Sequence, residues 1–296
     1  MLAAMNAVVV ALVALVACSR VDDAKSKRST TGPTADGVEL VTAGASSVRS
    51  PLRYHLTKGS QAPLELAMDL EMDAGGRGGK MPTLVIEMTI KVEDVAADGS
   101  ARIRTTFTSA TARERPDTVV PAATMAAMTG VLVGTSFTST LGSDGNLRDS
   151  KLDPTKPLPP AMDAQIGQLM QSLEQIAMRL PDQPVGVGAK WTTRKTVTQN
   201  GLAMLTITTV ELTAIDGNKV TFATTATVSA PDQSFTNAGT QASVKDVGGG
   251  GTSTVTVDLS RMTMAGESTA EFRGTITAGA QTAAMKMAMT LRMRPL

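Results

Sequence analysis

Three groups of side chains have types and spacings that can do chemistry, and the first is acidic. Asp69, Glu71 and Asp73 alternate along one short segment, as do the first ligands of a calcium-binding loop. Such a loop needs glycine at its sixth position and glutamate at its twelfth, where this chain has Ala74 and Lys80. On a strand, the carboxylates would stand about 7 Å apart. A glycosidase pair would also want aromatic sugar platforms, which are few. We therefore predict a solvated strand face.

The second group is nearly empty, because the chain has one histidine, His55, and one cysteine, Cys18. Structural zinc needs four such ligands, and a Ser-His-Asp triad would have to use His55 itself. The sequence has no Gly-x-Ser-x-Gly or Ser-x-x-Lys motif, and its glycine clusters lack the Gly-Lys-Ser/Thr of a phosphate-binding loop. We expect His55 to face solvent on a strand. We predict no enzyme, metal or cofactor, with a hydrolase acting through carboxylates as the weakest alternative.

Methionine forms the third group, with 18 residues. The thioethers of Met285, Met287 and Met289 would share one strand face and can ligate Cu(I). The simpler interpretation is core packing, because Met alternates with Leu in the same way at Met68, Leu70 and Met72. Methionine is also flexible and polarizable, which suits a cavity that accepts varied acyl chains. The residues expected to line such a cavity, with three from a predicted helix, are Met68, Met72, Met88, Ile166, Met170, Leu173, Met285, Met287 and Met289.

The N-terminus has the pattern of an export signal. Residues 7–17 form an apolar run of about 11 residues, the length of a signal-peptide core and too short to span a bilayer. The run ends in Leu15-Val16-Ala17-Cys18, which resembles the lipobox of bacterial lipoproteins, including uncharacterised ones of similar length. The resemblance implies cleavage after residue 17 and acylation of Cys18. Ser19 then favours the outer membrane. The alternative is an ordinary secretory signal with a chance cysteine.

Acylation would fix the chain to a membrane. Each buried methylene contributes about 0.8 kcal/mol, so two or three acyl chains anchor stably. Residues 18–50 are polar and are predicted to form a flexible linker. The body would then lie in the periplasm or at the cell surface.

The overall charge favours no particular partner. Lys and Arg number 28 and Asp and Glu 27, so no excess of either sign recruits nucleic acid or an anionic bilayer. The chain has one Trp, one Tyr and five Phe, too few stacking platforms for a single-strand nucleic-acid binder. We predict no nucleic-acid partner.

The body from Pro51 onward is dominated by alternation of apolar and polar residues, which is typical of antiparallel sheet with one wet face. The alternation is strongest at residues 64–73, 84–93 and 285–294. We predict about eleven strands, including a short one at residues 52–54, and loops at the glycine clusters 75–79 and 248–251. Recurring features suggest a degenerate duplication, with β-rich halves at residues 51–157 and 182–296.

Two Asp-Gly pairs predict hairpins. A two-residue loop at Asp98-Gly99 would pair Glu93 with Arg104. A three-residue loop containing Gly217 would place Leu212 opposite Val220.

Between the halves, residues 158–181 carry apolar side chains at spacings of three and four, bounded by prolines. This predicts an amphipathic helix at about 160–180. Pro121 to Met128 predicts a weaker one. A helix stripe must bury itself, and the apolar sheet face is available. We predict an α+β fold, mostly antiparallel β: a curved sheet or unclosed barrel with the helix on its apolar face. This element order loosely resembles the LolA/LolB-type lipoprotein carriers, which bind lipid between sheet and helices.

The sequence therefore favours a non-enzymatic envelope lipoprotein that binds a lipid or acyl chain between sheet and helix. The alternative is a structural or interaction module with a solid core and an envelope protein as its partner.

Overall fold

The computed structural model describes residues 38–45, 49–153, 178–199, 202–237 and 240–296. Over these ranges the chain is mostly antiparallel β-structure, as predicted, with fourteen strands in one sheet. The strands are β1 Val38–Thr42, β2 Gln61–Ala74, β3 Arg77–Lys80, β4 Thr83–Val95, β5 Ala101–Arg113, β6 Ser136–Leu141, β7 Leu147–Asp153, β8 Lys190–Gln199, β9 Leu202–Asp216, β10 Lys219–Ser229, β11 Gln233–Asn237, β12 Thr240–Asp258, β13 Met264–Ala278 and β14 Gln281–Pro295.

The strand order consists of two sequential meanders joined side by side. It runs β1-β8-β9-β10-β12-β13-β14-β2-β4-β5-β6-β7, with β11 paired to β12 and β3 to β2. The last strand, β14, pairs with β2, so that Met293 lies opposite Leu66 and Met289 opposite Leu70. The sheet curves and remains unclosed, with β1 at one edge and β7 at the other.

Alternation gives the sheet an apolar face and a polar face. Leu64, Leu66 and Leu70 of β2 are buried on the apolar face, whereas Glu65 and Asp69 lie on the polar face. The predicted pattern is therefore confirmed along β2 and β14. It breaks in β4, because Val85 is buried on the polar face opposite Ala67, and Ala67 lies opposite Arg292.

Both predicted hairpin registers are wrong, because each loop differs in length from the prediction and a bulge then shifts the pairing again. In the β4–β5 hairpin, Val92 lies opposite Ile103 and Asp94 opposite Arg102, which leaves Glu93 as the bulged residue. The loop is longer than predicted because Asp98 accepts hydrogen bonds from the backbone and hydroxyl of Ser100. Arg104 still reaches Glu93, with its Nε 2.6 Å from the carboxylate.

In the β9–β10 hairpin the loop is shorter than predicted. Asp216 pairs with Lys219, and Val220 lies opposite Ile215 rather than Leu212. A bulge at Thr213, whose hydroxyl donates to the carbonyl of Thr221 at 3.1 Å, restores the apolar phase. Leu212 then lies opposite Phe222.

Three further predictions about local structure need correction. Residues 52–54 form an extended segment rather than a strand, because Tyr54 donates its backbone N–H to Ser143 and His55 donates to Leu259, in different loops. Residues 38–42, assigned to the linker, form strand β1 against β8. Glycines 248–251 lie inside β12 instead of a loop, because the strand pairs on both sides there.

Two predicted segments lie outside the described residues: Cys18 with the N-terminal leader, and the amphipathic helix up to residue 177. The end of that segment is described, and Leu180 is buried there without helical structure. The weaker helix is present as α1, Ala122–Thr129, followed by a 3-10 turn at Gly130–Leu132. Within the described residues, no helix has both the length and the apolar character needed to cross a membrane.

The larger of two apolar clusters lies where both ends of the sheet converge on residues 52–56 and 180–191. We call it the aromatic cluster, because it holds five of the seven aromatic residues: Tyr54, Phe107, Phe137, Trp191 and Phe222. The rings of Trp191 and Phe222 meet edge to face at 5.8 Å. Trp191 also donates its Nε1–H to the carbonyl of Arg179 at 3.1 Å, so its indole is satisfied as well as buried.

Candidate functional site

A second cluster occupies the other end of the same apolar sheet face. We call it the methionine-rich cluster, since methionine supplies eight of its fourteen members. The buried members are Leu70, Met81, Met204, Val228, Ala270, Phe272, Met287 and Met289, and the partly buried ones are Met68, Met72, Val120, Met125, Ala230 and Met285.

Strand pairing brings these methionines together. β14 lies antiparallel to β2, which places Met287 opposite Met72 and Met289 opposite Leu70. Directly opposed residues share a face and lie within about 4.5–5.5 Å at Cβ. Met287 and Met289 are only 3% and 4% exposed, whereas Met72 is half-buried. The cluster is therefore closely packed around Met287 and Met289 and more accessible to solvent at Met72.

The glycine stretch of β12 crosses this cluster. Gly249 lies between Val228 of β10 and Phe272 of β13, on the face that carries both side chains. A Cβ atom at Gly249 would overlap the carbonyl oxygen of Glu271, and one at Gly251 would overlap that of Thr269. Only glycine fits such close strand approaches, so the sheet surface lacks side chains here.

A cleft of about 1100 Å³ opens beside these glycines. Its lining comes from both faces of the sheet: Met72, Phe272, Met287, Ala226 and Ala270 belong to the apolar face, and Thr225, Thr252, Thr269 and Ala288 belong to the polar face, with the glycines of β12 between them. Charged groups of the opposite sheet face also border it: Glu71, Asp73, Glu271, Arg273 and Lys286. Its volume lies just above the ~300–1,000 Å³ range of small-molecule sites. The arrangement can hold an apolar molecule with a polar end.

On β10, β12 and β13 a band of hydroxyl groups lies between the two clusters on the apolar face. Thr224 and Ser253 lie opposite each other and share a 2.7 Å hydrogen bond, and Ser268 follows on the next strand. The space among them is small, about 60 Å³. On β2 and β14 the two clusters adjoin each other instead, because Leu291 lies opposite Met68.

The predicted cavity residues divide between these clusters and the undescribed segment. Met68, Met72, Met285, Met287 and Met289 all belong to the methionine-rich cluster. Met88 does not, because it lies in the aromatic cluster, opposite Leu64. The three helix residues Ile166, Met170 and Leu173 lie outside the described residues, as does Cys18.

The acidic segment does not form a shared carboxylate site. Asp69 belongs to an ion network on the polar face, where Arg292 donates to it at 2.9 Å and Thr83 donates its hydroxyl. Partial burial alone would raise the pKa of Asp69, but these hydrogen bonds and the nearby charge of Arg115 lower it. Glu71 and Asp73 are exposed.

The adjacent Glu65 is fixed in the same manner. Arg294 donates to both of its carboxylate oxygens, at 2.9 and 2.7 Å, and this pairing lowers the pKa of Glu65. His55 is exposed, as expected, although not on a strand. Among the described residues, no three His, Cys, Asp or Glu side chains are grouped so as to hold a metal ion.

Several important residues were missed by the sequence reasoning. Met81, Met125, Met204 and Phe272 join the cluster from the β3–β4 loop, the helix α1 and the strands β9 and β13, and no spacing rule connects them. The glycine stretch did carry a signal, because Val255 and Val257 continue its every-second-residue phase along β12.

Comparison with known proteins gives limited guidance. Residues 163–261 match the model of a family of unknown function, DUF6263. No curated protein matches the chain. A lipovitellin structure, from work on its lipid–protein interactions, is similar over 81% of this chain with 10% identity and a TM-score of 0.45. The chain spans only 25% of that lipovitellin chain.

An outer membrane channel from Pseudomonas putida F1 is similar over 82% of this chain and 98% of its own, with 8% identity and a TM-score of 0.21. Neither structural likeness is close enough to bear on function.

Proposed function

We propose that the chain is a non-enzymatic, membrane-anchored protein of the bacterial cell envelope that binds a lipid or acyl chain beside its methionine-rich cluster. The observation that carries this proposal is the cleft of about 1100 Å³ where the glycine stretch of β12 meets Met72, Phe272 and Met287.

The cleft has the chemistry that an acyl chain requires. Its apolar wall removes methylene groups from water, which contributes about 0.8 kcal/mol for each one buried. Methionine side chains adjust to chains of different shape more readily than branched residues do. Arg273 and Lys286, which lie opposite each other on neighbouring strands, border the cleft and can pair with an anionic head group.

The anchor belongs to the same proposal. Acylation of Cys18 would hold the body at a membrane, with the outer membrane favoured by Ser19. Metabolic labelling with a radioactive fatty acid tests it: label should appear on the chain and be lost in Cys18→Ser. Label that persists in that variant would contradict the anchor.

Ligand binding is tested on protein purified from bacteria. Native mass spectrometry should show co-purifying lipid, and the delipidated protein should take up a fluorescent fatty acid. Met72→Glu places a charge at the half-buried edge of the cleft and should reduce uptake strongly. Ala284→Glu adds the same charge at an exposed position of β14 and should not. Consistently empty protein without uptake would refute ligand binding.

The second candidate is a structural or interaction module with a solid core. Its support is the deep burial of Met287 and Met289, which indicates that much of the cluster is already filled by protein atoms. Cross-linking in intact envelopes should then recover one stoichiometric protein, and purified chain should carry no lipid.

A further inference from the structure

The segment that connects β5 to β6 exposes an apolar surface. Val119, Met128, Val131 and Val133 are 42–54% exposed and are half of the eight large hydrophobic side chains exposed in the described part of the chain. All four fall within fifteen residues. Single exposed apolar side chains are ordinary, but soluble monomers rarely expose a contiguous apolar patch larger than a few hundred Å², and such patches mark contact sites for proteins or membranes.

Helix α1 is apolar on both of its sides. Its inner side places Ala122 in a buried position and Met125 against the methionine-rich cluster. Its outer side presents Ala123, Thr124, Ala127 and Met128 to solvent. A helix that is apolar all round is normally buried on every side. The exposed outer side of α1 therefore needs a partner surface.

The chemistry of this surface favours lipid over protein. No charged residue occurs from Thr118 to Ser143. The hydroxyl of Thr129 donates a hydrogen bond to the carbonyl of Met125 at 3.0 Å, within the helix itself. Protein interfaces usually carry about one hydrogen bond per 100–200 Å² and concentrate aromatic and arginine anchors at their centre. This surface has no charged or aromatic side chain, and it presents Val, Met and Ala with the exposed hydroxyl of Thr124.

The border of the surface has groups that suit lipid head groups. Lys80 pairs with Thr118, and Arg113 is exposed at the end of β5. Two acidic residues, Glu114 and Asp117, also lie at this border. The carboxylate of Glu114 already accepts hydrogen bonds from Thr118 and from the backbone N–H of Ala122. Cations beside an apolar patch match a bilayer surface, where phosphates lie above acyl chains.

We infer that the surface formed by Val119, Met128, Val131 and Val133 rests in the outer layer of a lipid bilayer. The inference rests on the proposed function for the location of the chain at a membrane. It adds a route for the ligand, because Val120 and Met125 of the same segment pack against the methionine-rich cluster. A bilayer that touches this surface lies beside the site proposed for an acyl chain.

The test measures depth in the bilayer without depending on acylation. The full chain carries Cys18→Ser and a fluorophore at Val131→Cys. An N-terminal His tag holds it on phosphatidylethanolamine–phosphatidylglycerol vesicles that contain a chelating lipid. Lipids with a quencher in the acyl chain should reduce its fluorescence. The same fluorophore at Ile215→Cys, an exposed apolar position of the β9–β10 hairpin, should not respond. Adding Met128→Asp should diminish the quenching at residue 131.

The other outcomes identify what fails. No quenching at residue 131 on the vesicle overturns the inference, and so does a fluorophore already shielded in solution by self-association. Fatty-acid uptake is measured on the same protein. Quenching without fatty-acid uptake supports the membrane contact and refutes the ligand site. Uptake without quenching supports the ligand site and refutes the membrane contact.

Discussion

The two apolar clusters occupy one sheet face but are built from different side chains. The aromatic cluster packs rings and branched residues, and its largest members, Trp191 and Phe222, are fully buried. The methionine-rich cluster has one ring, Phe272, among eight methionines and borders a cleft. Rigid, shape-specific packing fixes one structure, whereas unbranched side chains tolerate rearrangement. The first cluster is therefore suited to hold the fold and the second to accommodate a guest.

The largest expected effect breaks the aromatic cluster. Trp191→Ala should lower the free energy of unfolding by about 3–5 kcal/mol, because it leaves a cavity at the centre of the cluster and removes the bond to Arg179. Urea denaturation measures the loss. Trp191→Phe keeps most of the volume and should cost clearly less. A loss no larger than that of a methionine-to-leucine change would contradict the structural role of this cluster.

The next effect concerns the glycine stretch of β12. Gly249→Ala should destabilise by about 1–3 kcal/mol, since its Cβ would overlap the Glu271 carbonyl and the strands must move apart. It should also reduce fatty-acid uptake. Gly248→Ala is the matched control, because a Cβ there meets open space. Equal stability of the two variants would show that the close approach is unimportant.

Substitution inside the methionine-rich cluster should have a smaller effect on stability. Met287→Leu conserves volume and should cost less than about 1.5 kcal/mol. Its branched side chain adapts less well, so uptake should become selective for acyl-chain length. Met88→Leu is the control from the aromatic cluster and should leave selectivity unchanged. Altered selectivity in the control alone would reverse the roles assigned to the two clusters.

The smallest expected effect comes from the polar face. The bonds from Arg294 lower the pKa of Glu65 below its ordinary value of 4.5. Their contribution to stability is therefore complete above that value and is lost as the pH falls through the lowered folded-state pKa. Arg294→Met should flatten the acid dependence of unfolding only slightly, because solvent screens this exposed pair. Arg148→Met, on the edge strand β7, is the control for charge removal. A steeper acid dependence in Arg294→Met would contradict the pairing.

Alternation was sufficient to predict the sheet and its apolar face. Every second residue of β2 and β14 points inward because the strand repeat is two residues, and this placed Met72 and Met287 on one face. The predicted hairpin registers are wrong because loop length and bulges depend on local hydrogen bonds, such as those from Ser100 to Asp98 and from Thr213 to Thr221, which alternation does not encode. The lack of a side chain makes glycine common in loops, which is why the sequence predicts loops at its glycine clusters. The same property lets Gly249 fit inside β12, where a Cβ would overlap the Glu271 carbonyl.

The division into two clusters was not predictable from spacing. Met88 follows the same alternation as Met68 and Met72, but it lies nearer the opposite end of the sheet, which is set by strand pairing and curvature. The contributions of Met125 and Met204 depend on long-range packing in the same way. What the sequence could supply was the chemical character of the cluster, through its unusual methionine content.

The most direct test of the central claim locates a bound acyl chain. A photoreactive diazirine fatty acid is incubated with the delipidated chain and irradiated, and the modified peptides are identified by mass spectrometry. We predict modification around Met72, Phe272 and Met287, with none at Trp191 or Phe222. Modification centred on Trp191, or none above an untreated sample, would contradict the claim that the methionine-rich cluster is the ligand site.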